Sequence, residues 1–118
     1  MSNKHNISDR ILSLYDQLID ATDGIEKKGK NNFYTSHNGH MYSFVAKEGY
    51  VAIRLPKDEK VAFENKYKTG PAISYGAVMR EYVVIPDQLL EDTQNLKDYL
   101  LASLEYIKTL KPKSTKKK

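Results

Sequence analysis

The sequence predicts an α+β fold: an antiparallel β-meander with a fourth strand, flanked by N-terminal and C-terminal helices and carrying one inserted helix. Three observations predict it. Asn38-Gly39 joins two alternating runs, Phe33 to Ser36 and Met41 to Ala46; both turn residues tolerate the positive φ of a type I′ hairpin turn. A third extended run, Tyr50 to Leu55, follows a second turn at Lys47-Glu48-Gly49. Apolar stripes at helical spacing are found at the two ends of the chain.

The first helix spans Ser8 to about Asp23, because Ile11, Leu12, Tyr15, Leu18 and Ile19 fall on one stripe. Ser8 suits the N-cap, Ile7 and Leu12 have staple spacing, Asp9 favours the dipole, and Gly24 suits a left-handed C′ position. Ile25 to Lys30 carries Lys27, Lys28 and Lys30, either as a small cationic loop or as an edge strand kept soluble by lysine. In the third run Val51, Ile53 and Leu55 alternate with Tyr50, Ala52 and Arg54, one core face and one polar-aromatic face. The middle run is apolar on both faces: Tyr42, Phe44 and Ala46 are expected on one, Met41, Ser43 and Val45 on the other. A loop or a partner over the side opposite the helices would explain that.

Pro56 stops the strand and opens the inserted helix, with Asp58 and Glu59 near its start and Val61, Ala62 and Tyr67 expected inward. Thr69-Gly70-Pro71 ends it. Ala72 to Arg80 is open between a short strand and a loop, whereas Glu81 to Ile85 is rich in strand formers. Pro86-Asp87 follows, with Asp87 placed to cap a short turn at Gln88-Leu89-Leu90. The last helix, about Thr93 to Leu110, has a core stripe of Leu96, Tyr99, Leu100, Ser103, Leu104 and Ile107, with Leu101 and Tyr106 off it.

At 118 residues the chain is one domain, 1–110, with a basic tail at 111–118 expected to be disordered. Five of the 19 basic residues lie in that tail, and the rest number 14 against 15 acidic ones. The fold is therefore near neutral, unlike a domain with a basic nucleic-acid face. No cysteine is present, which excludes disulfides, thiolate metal sites and a cysteine nucleophile and fits a reducing compartment. No apolar run approaches the roughly 18 residues of a membrane helix. A cytoplasmic protein is expected.

His37 and His40 are three apart but lack the further ligands zinc requires. Gly-x-Ser-x-Gly, P-loop and Gly-x-Gly-x-x-Gly motifs do not occur. A site assembled from His40, Tyr75 and Glu81 has no sequence pattern behind it. No enzyme, metal or other cofactor is expected. Nine tyrosines, five of them Tyr42, Tyr50, Tyr67, Tyr75 and Tyr82 in the sheet region, suit the wet rim of a small core, or stacking on bases.

Several strings, in order, resemble the TfoX N-terminal domain family: Asn38-Gly39-His40-Met41-Tyr42-Ser43-Phe44, Ala52-Ile53-Arg54-Leu55-Pro56, Phe63, Tyr75-Gly76, and Met79-Arg80-Glu81-Tyr82-Val83-Val84-Ile85-Pro86. The likeness continues through the Leu96–Leu110 helix to Lys113 and is nearest to short stand-alone members. It implies the α+β domain of TfoX/Sxy regulators of bacterial competence, which has no agreed catalytic residues. The expected function is a small non-enzymatic interaction or regulatory module, with a protein partner or self-association as a dimer. Its candidate surface is either the Tyr42/Arg54 face of the sheet or the Leu101/Tyr106 side of the last helix. The alternative is nucleic-acid binding through Lys27, Lys28, Lys30, Arg54 and Arg80, with Lys116, Lys117 and Lys118 as an electrostatic arm.

Overall fold

Asn38 and Gly39 both take positive φ, 53° and 83°, and the two-residue turn closes on the facing pair His37 and His40. The structure, a computed structural model, describes residues 9–22, 24–28, 33–46, 49–74 and 77–111. The hairpin strands are β1 (Tyr34–His37) and β2 (His40–Ala46), preceded by helix α1 (Asp9–Ala21). Then come β3 (Tyr50–Arg54), α2 (Lys57–Tyr67), β4 (Pro71–Ser74), β5 (Ala77–Val84), α3 (Asp87–Leu90) and α4 (Thr93–Lys108). The α+β class holds. Gly24 is left-handed at φ 82°, but α1 ends at Ala21, so the glycine lies two residues past the C-cap Thr22 and not at the expected C′ position. The expected cap and staple at Ser8 and Ile7, and the basic tail from Pro112 onward, lie outside the described residues.

Among the described residues the sheet has five strands, not four. All neighbours are antiparallel and the order is β1-β2-β3-β5-β4. The open segment Ala72 to Arg80 supplies most of β4 and the first half of β5, which form a hairpin. Central β5 lies between β3 and β4, so the expected fourth strand is the second half of a longer one.

The main core lies between one sheet face and the helices. Ile11, Tyr15, Leu18 and Ile19 of α1 meet Leu96, Leu100, Leu104 and Ile107 of α4 over Val45, Val51, Ile53 and Val83. This core is fully engaged in its polar contacts as well as its apolar ones. The buried Tyr15 hydroxyl lies 2.8 Å from Ser43 Oγ, which is 2.6 Å from Thr35 Oγ1. Ser103 donates from α4 to the Arg54 carbonyl. No buried side-chain nitrogen or oxygen among the described residues lacks a partner.

The simple alternation expected for the middle strand is broken by a β-bulge. Thr35 faces Ser43 but Ser36 faces Met41, leaving Tyr42 as the extra residue of β2. The bulge turns Tyr42 into the helix-side core, where it is 3% exposed, while Phe44 and Ala46 stay on the opposite face. On that opposite face Phe44, Ala46, Ala52 and Ala72 are buried without a helix above them; tyrosines of the sheet cover them instead. Tyr82 donates across β3 to the Met41 carbonyl (2.6 Å) and sets its ring 5.4 Å from Phe44. The Tyr50 hydroxyl donates to the Ile73 carbonyl at 2.6 Å and accepts from the Ile73 N–H at 2.9 Å. Tyr82 thus reaches over β3 to β2, and Tyr50 ties β3 to the edge strand β4.

Helix α2 corrects the predicted inward side. Phe63 is 2% exposed, with Tyr67 partly buried beside it, whereas Val61 is 49% exposed and Ala62 is exposed. Three consecutive apolar residues cannot all face inward on a helix. The core takes the largest, and Phe63 packs 4.7 Å from Tyr67 and 4.9 Å from Tyr99. The helix ends at Lys68 in left-handed conformation, φ 54°. Asp87 is the first residue of α3 and does not cap it by its side chain; Pro86 precedes it as N-cap. Asp92 is the side-chain cap of α4, accepting from the Asn95 N–H.

Candidate functional site

The residues expected to form an interaction surface are largely engaged within the fold. Tyr42 is buried by the bulge, so the expected Tyr42/Arg54 face does not exist as a surface. Arg54 donates to Glu81 from β3 to β5 (2.5 Å from Nε) and lies 5.7 Å from the Tyr106 ring centre. Tyr106 donates to the other Glu81 oxygen at 3.2 Å. Burial, and then the neighbouring Glu81 carboxylate, raises the Tyr106 hydroxyl above the ordinary tyrosine value. Leu101 is left on the α4 surface at 39% exposure. The four residues thus divide into one core residue, a two-member polar network with Glu81, and a single exposed leucine.

The predicted nucleic-acid contacts are also dispersed. Lys27 pairs with Asp16 of α1 and sits 4.1 Å above the Phe33 ring. Lys28 forms an antiparallel bridge to Tyr34 at the β1 edge, and its ammonium donates to Ser36 at 3.0 Å. The contact is one isolated bridge and not a strand, and the rest of the stretch, from Gly29 to Asn32, lies outside the described residues. Arg80 lies on β5, three strands away in the sheet order. Lys30, Lys116, Lys117 and Lys118 lie outside the described residues, as does Tyr75. The histidines stay apart in role: His40 Nε2 makes a 2.8 Å hydrogen bond with the Lys111 carbonyl. Among the described residues no three or more His, Cys, Asp or Glu side chains gather to hold a metal.

What the fold does assemble is a groove of about 440 Å³ between α2 and the β4–β5 hairpin. Lys57, Lys60 and Val61 form the helix wall, while Pro71, Val78, Arg80 and Glu81 form the hairpin wall. Val61 at 49% and Val78 at 55% are the two most exposed large aliphatic residues on these walls. Charge at the rim is unevenly satisfied. Lys60 is held by Glu64 at 2.8 Å, one turn along α2, and the Glu81 carboxylate serves Arg54 and Tyr106. Lys57 and Arg80 have no carboxylate within ion-pair distance among the described residues. The groove therefore combines apolar surface on both walls with two cations that have no ion-pair partner among the described residues. Lys57, Val61 and Val78 are not among the residues the sequence points to, because helical spacing alone places Val61 inward and Val78 falls in a stretch that reads equally as strand or loop. The available signal was the Val61-Ala62-Phe63 run, which must expose part of itself on any helix.

No protein-family model matches the chain, and no curated protein matches it. Among the described residues no helix is long and apolar enough to cross a membrane.

Proposed function

We propose that this chain is a small non-enzymatic interaction module of the TfoX N-terminal type, which takes a protein segment into the groove between α2 and the β4–β5 hairpin. The observation that carries the reading is the pair of half-exposed valines, Val61 and Val78, on facing elements of one groove. Isolated apolar residues on a surface need no explanation, but apolar residues converging in a concave site with a few polar groups are the usual make-up of a binding site. The nucleic-acid alternative draws less support, because Lys27 and Arg54 already hold carboxylates and Arg80 is remote from Lys28 in the sheet order.

The test is selection of a random displayed peptide library on the full chain. A recurring motif is expected, with binding lost in Val61→Asp while the circular dichroism spectrum and melting transition stay unchanged. Absence of any recurring motif, or a motif whose binding ignores Val61→Asp, removes this reading.

A further inference from the structure

We infer that the segment received by this groove is acidic, an extended peptide with one apolar anchor residue flanked by carboxylates; this rests on the groove being the binding site. The anchor position follows from Val61, Pro71 and Val78, which offer apolar surface from both walls. The acidic flanks follow from what the rim cations already hold. Glu81, the acidic residue of the lining, has its two oxygens occupied by Arg54 and Tyr106, and Lys60 is satisfied by Glu64. Lys57 and Arg80, from opposite walls, have no ion-pair partner among the described residues and set the local field. A carboxylate beside each gains a charge-assisted hydrogen bond, and Arg80 offers the two-pronged geometry that carboxylates accept.

Other occupants fit less well. This chain's own tail carries Lys111, Lys113, Lys116, Lys117 and Lys118 and meets cations of its own sign. A second copy docking groove to groove sets Lys57 and Arg80 against themselves, since a two-fold interface pairs each patch with its own kind. A compact small molecule needs roughly 70–90% of its surface buried, whereas walls whose valines are half exposed cover one side of an occupant. A chain segment spreads its contacts along such an open groove. Nucleic acid satisfies the cations but leaves the valines facing a phosphate backbone.

The experiment is fluorescence anisotropy on the full chain with a labelled peptide carrying Leu between Asp and Glu residues. Its comparators are the Asn/Gln counterpart, an acidic peptide with Ala in place of Leu, and a labelled single-stranded DNA. The acidic Leu peptide is expected to bind, and either comparator peptide to bind on the order of tenfold more weakly. The doubly reversed K57E/R80E is expected to lose a similar factor, with its melting transition unchanged because both side chains are exposed. Affinity should also fall with added salt.

Equal binding of the Asn/Gln peptide, with binding still lost in Val61→Asp, overturns the acidic partner and leaves the groove as a peptide site. DNA binding that K57E/R80E removes and Val61→Asp spares overturns it in favour of nucleic acid. Failure of the acidic peptide to bind overturns it too. The library-selected peptides then decide the fate of the groove itself.

Discussion

The helix-covered face of the sheet and the α2–hairpin end are built from similar residues but treat them differently. Over β1 to β3, α1 and α4 bury a continuous apolar layer, and the polar groups inside it meet one another, as in Tyr15, Ser43 and Thr35. At the other end α2 inserts Phe63 as its buried residue, and its neighbour Val61 stays half in water opposite Val78. The first region is complete in itself. The second leaves apolar surface and the cations Lys57 and Arg80 with no ion-pair partner among the described residues. The contrast separates residues enclosed by the fold from residues it leaves at the surface.

The comparison breaks most sharply inside α2. Phe63→Ala is expected to cost about 3–5 kcal/mol of stability in urea denaturation, as for other buried aromatic truncations. Val61→Ala, two residues away, should stay within about 0.5 kcal/mol. Similar losses for both would erase the distinction between a folding residue and a groove residue. In the main core, Ile53→Ala should cost about 2–5 kcal/mol, against a near-neutral Val78→Ala.

Tyr15→Phe sharpens the same contrast at smaller amplitude. It removes one hydrogen bond but leaves Ser43 with Thr35, so about 0.5–1.5 kcal/mol is expected. It also tests a pH dependence. Burial raises the Tyr15 hydroxyl well above its ordinary 10.0, with Ser43 and Thr35 partly opposing that. The unfolded chain thus loses this proton first as pH rises, and the folded state is penalised. The stability contributed is complete below pH 10 and declines as pH climbs from there towards the folded-state value. Burial, and then neighbouring Tyr67, pushes Tyr99 up to about 12, adding to the same decline. Tyr15→Phe should flatten the alkaline slope measured by urea unfolding between pH 9 and 11; an unchanged slope would remove Tyr15 as its source.

The smallest effect is expected at the sheet edge. Tyr50→Phe frees the Ile73 N–H and carbonyl, both near solvent, and should cost under about 1 kcal/mol. Its clearer readout is faster hydrogen exchange at the Ile73 amide, with amides of β2 and β3 unchanged. Because the Tyr50 hydroxyl occupies both backbone groups of Ile73 on edge strand β4, the variant should also gain a tendency to associate through that edge. Unchanged exchange at Ile73 would mean that the hydroxyl does not hold this edge.

Local chemistry made much of this legible in the sequence. Asn38-Gly39 specified its turn, and the Leu96, Leu100, Leu104 and Ile107 stripe specified the buried side of α4. The alternation of Val51, Ile53 and Leu55 specified the core face of β3. Each is a pattern whose period matches the backbone that carries it, so neighbouring residues suffice to fix it. Tyr42 was placed on the wrong face because a one-residue bulge reverses alternation, and the bulge depends on how β1 and β2 align across space. The fifth strand escaped for a related reason: β4 is four residues long and gains its hydrogen bonds from β5, its outer edge being met by Tyr50. Tertiary structure decided the groove, since α2 must first meet the β4–β5 hairpin, and Arg54 and Tyr106 must reach Glu81, before Lys57 and Arg80 face each other across it without an ion-pair partner among the described residues. Charge in the sequence states what is present; which charges remain unneutralised depends on distances that the folded chain sets.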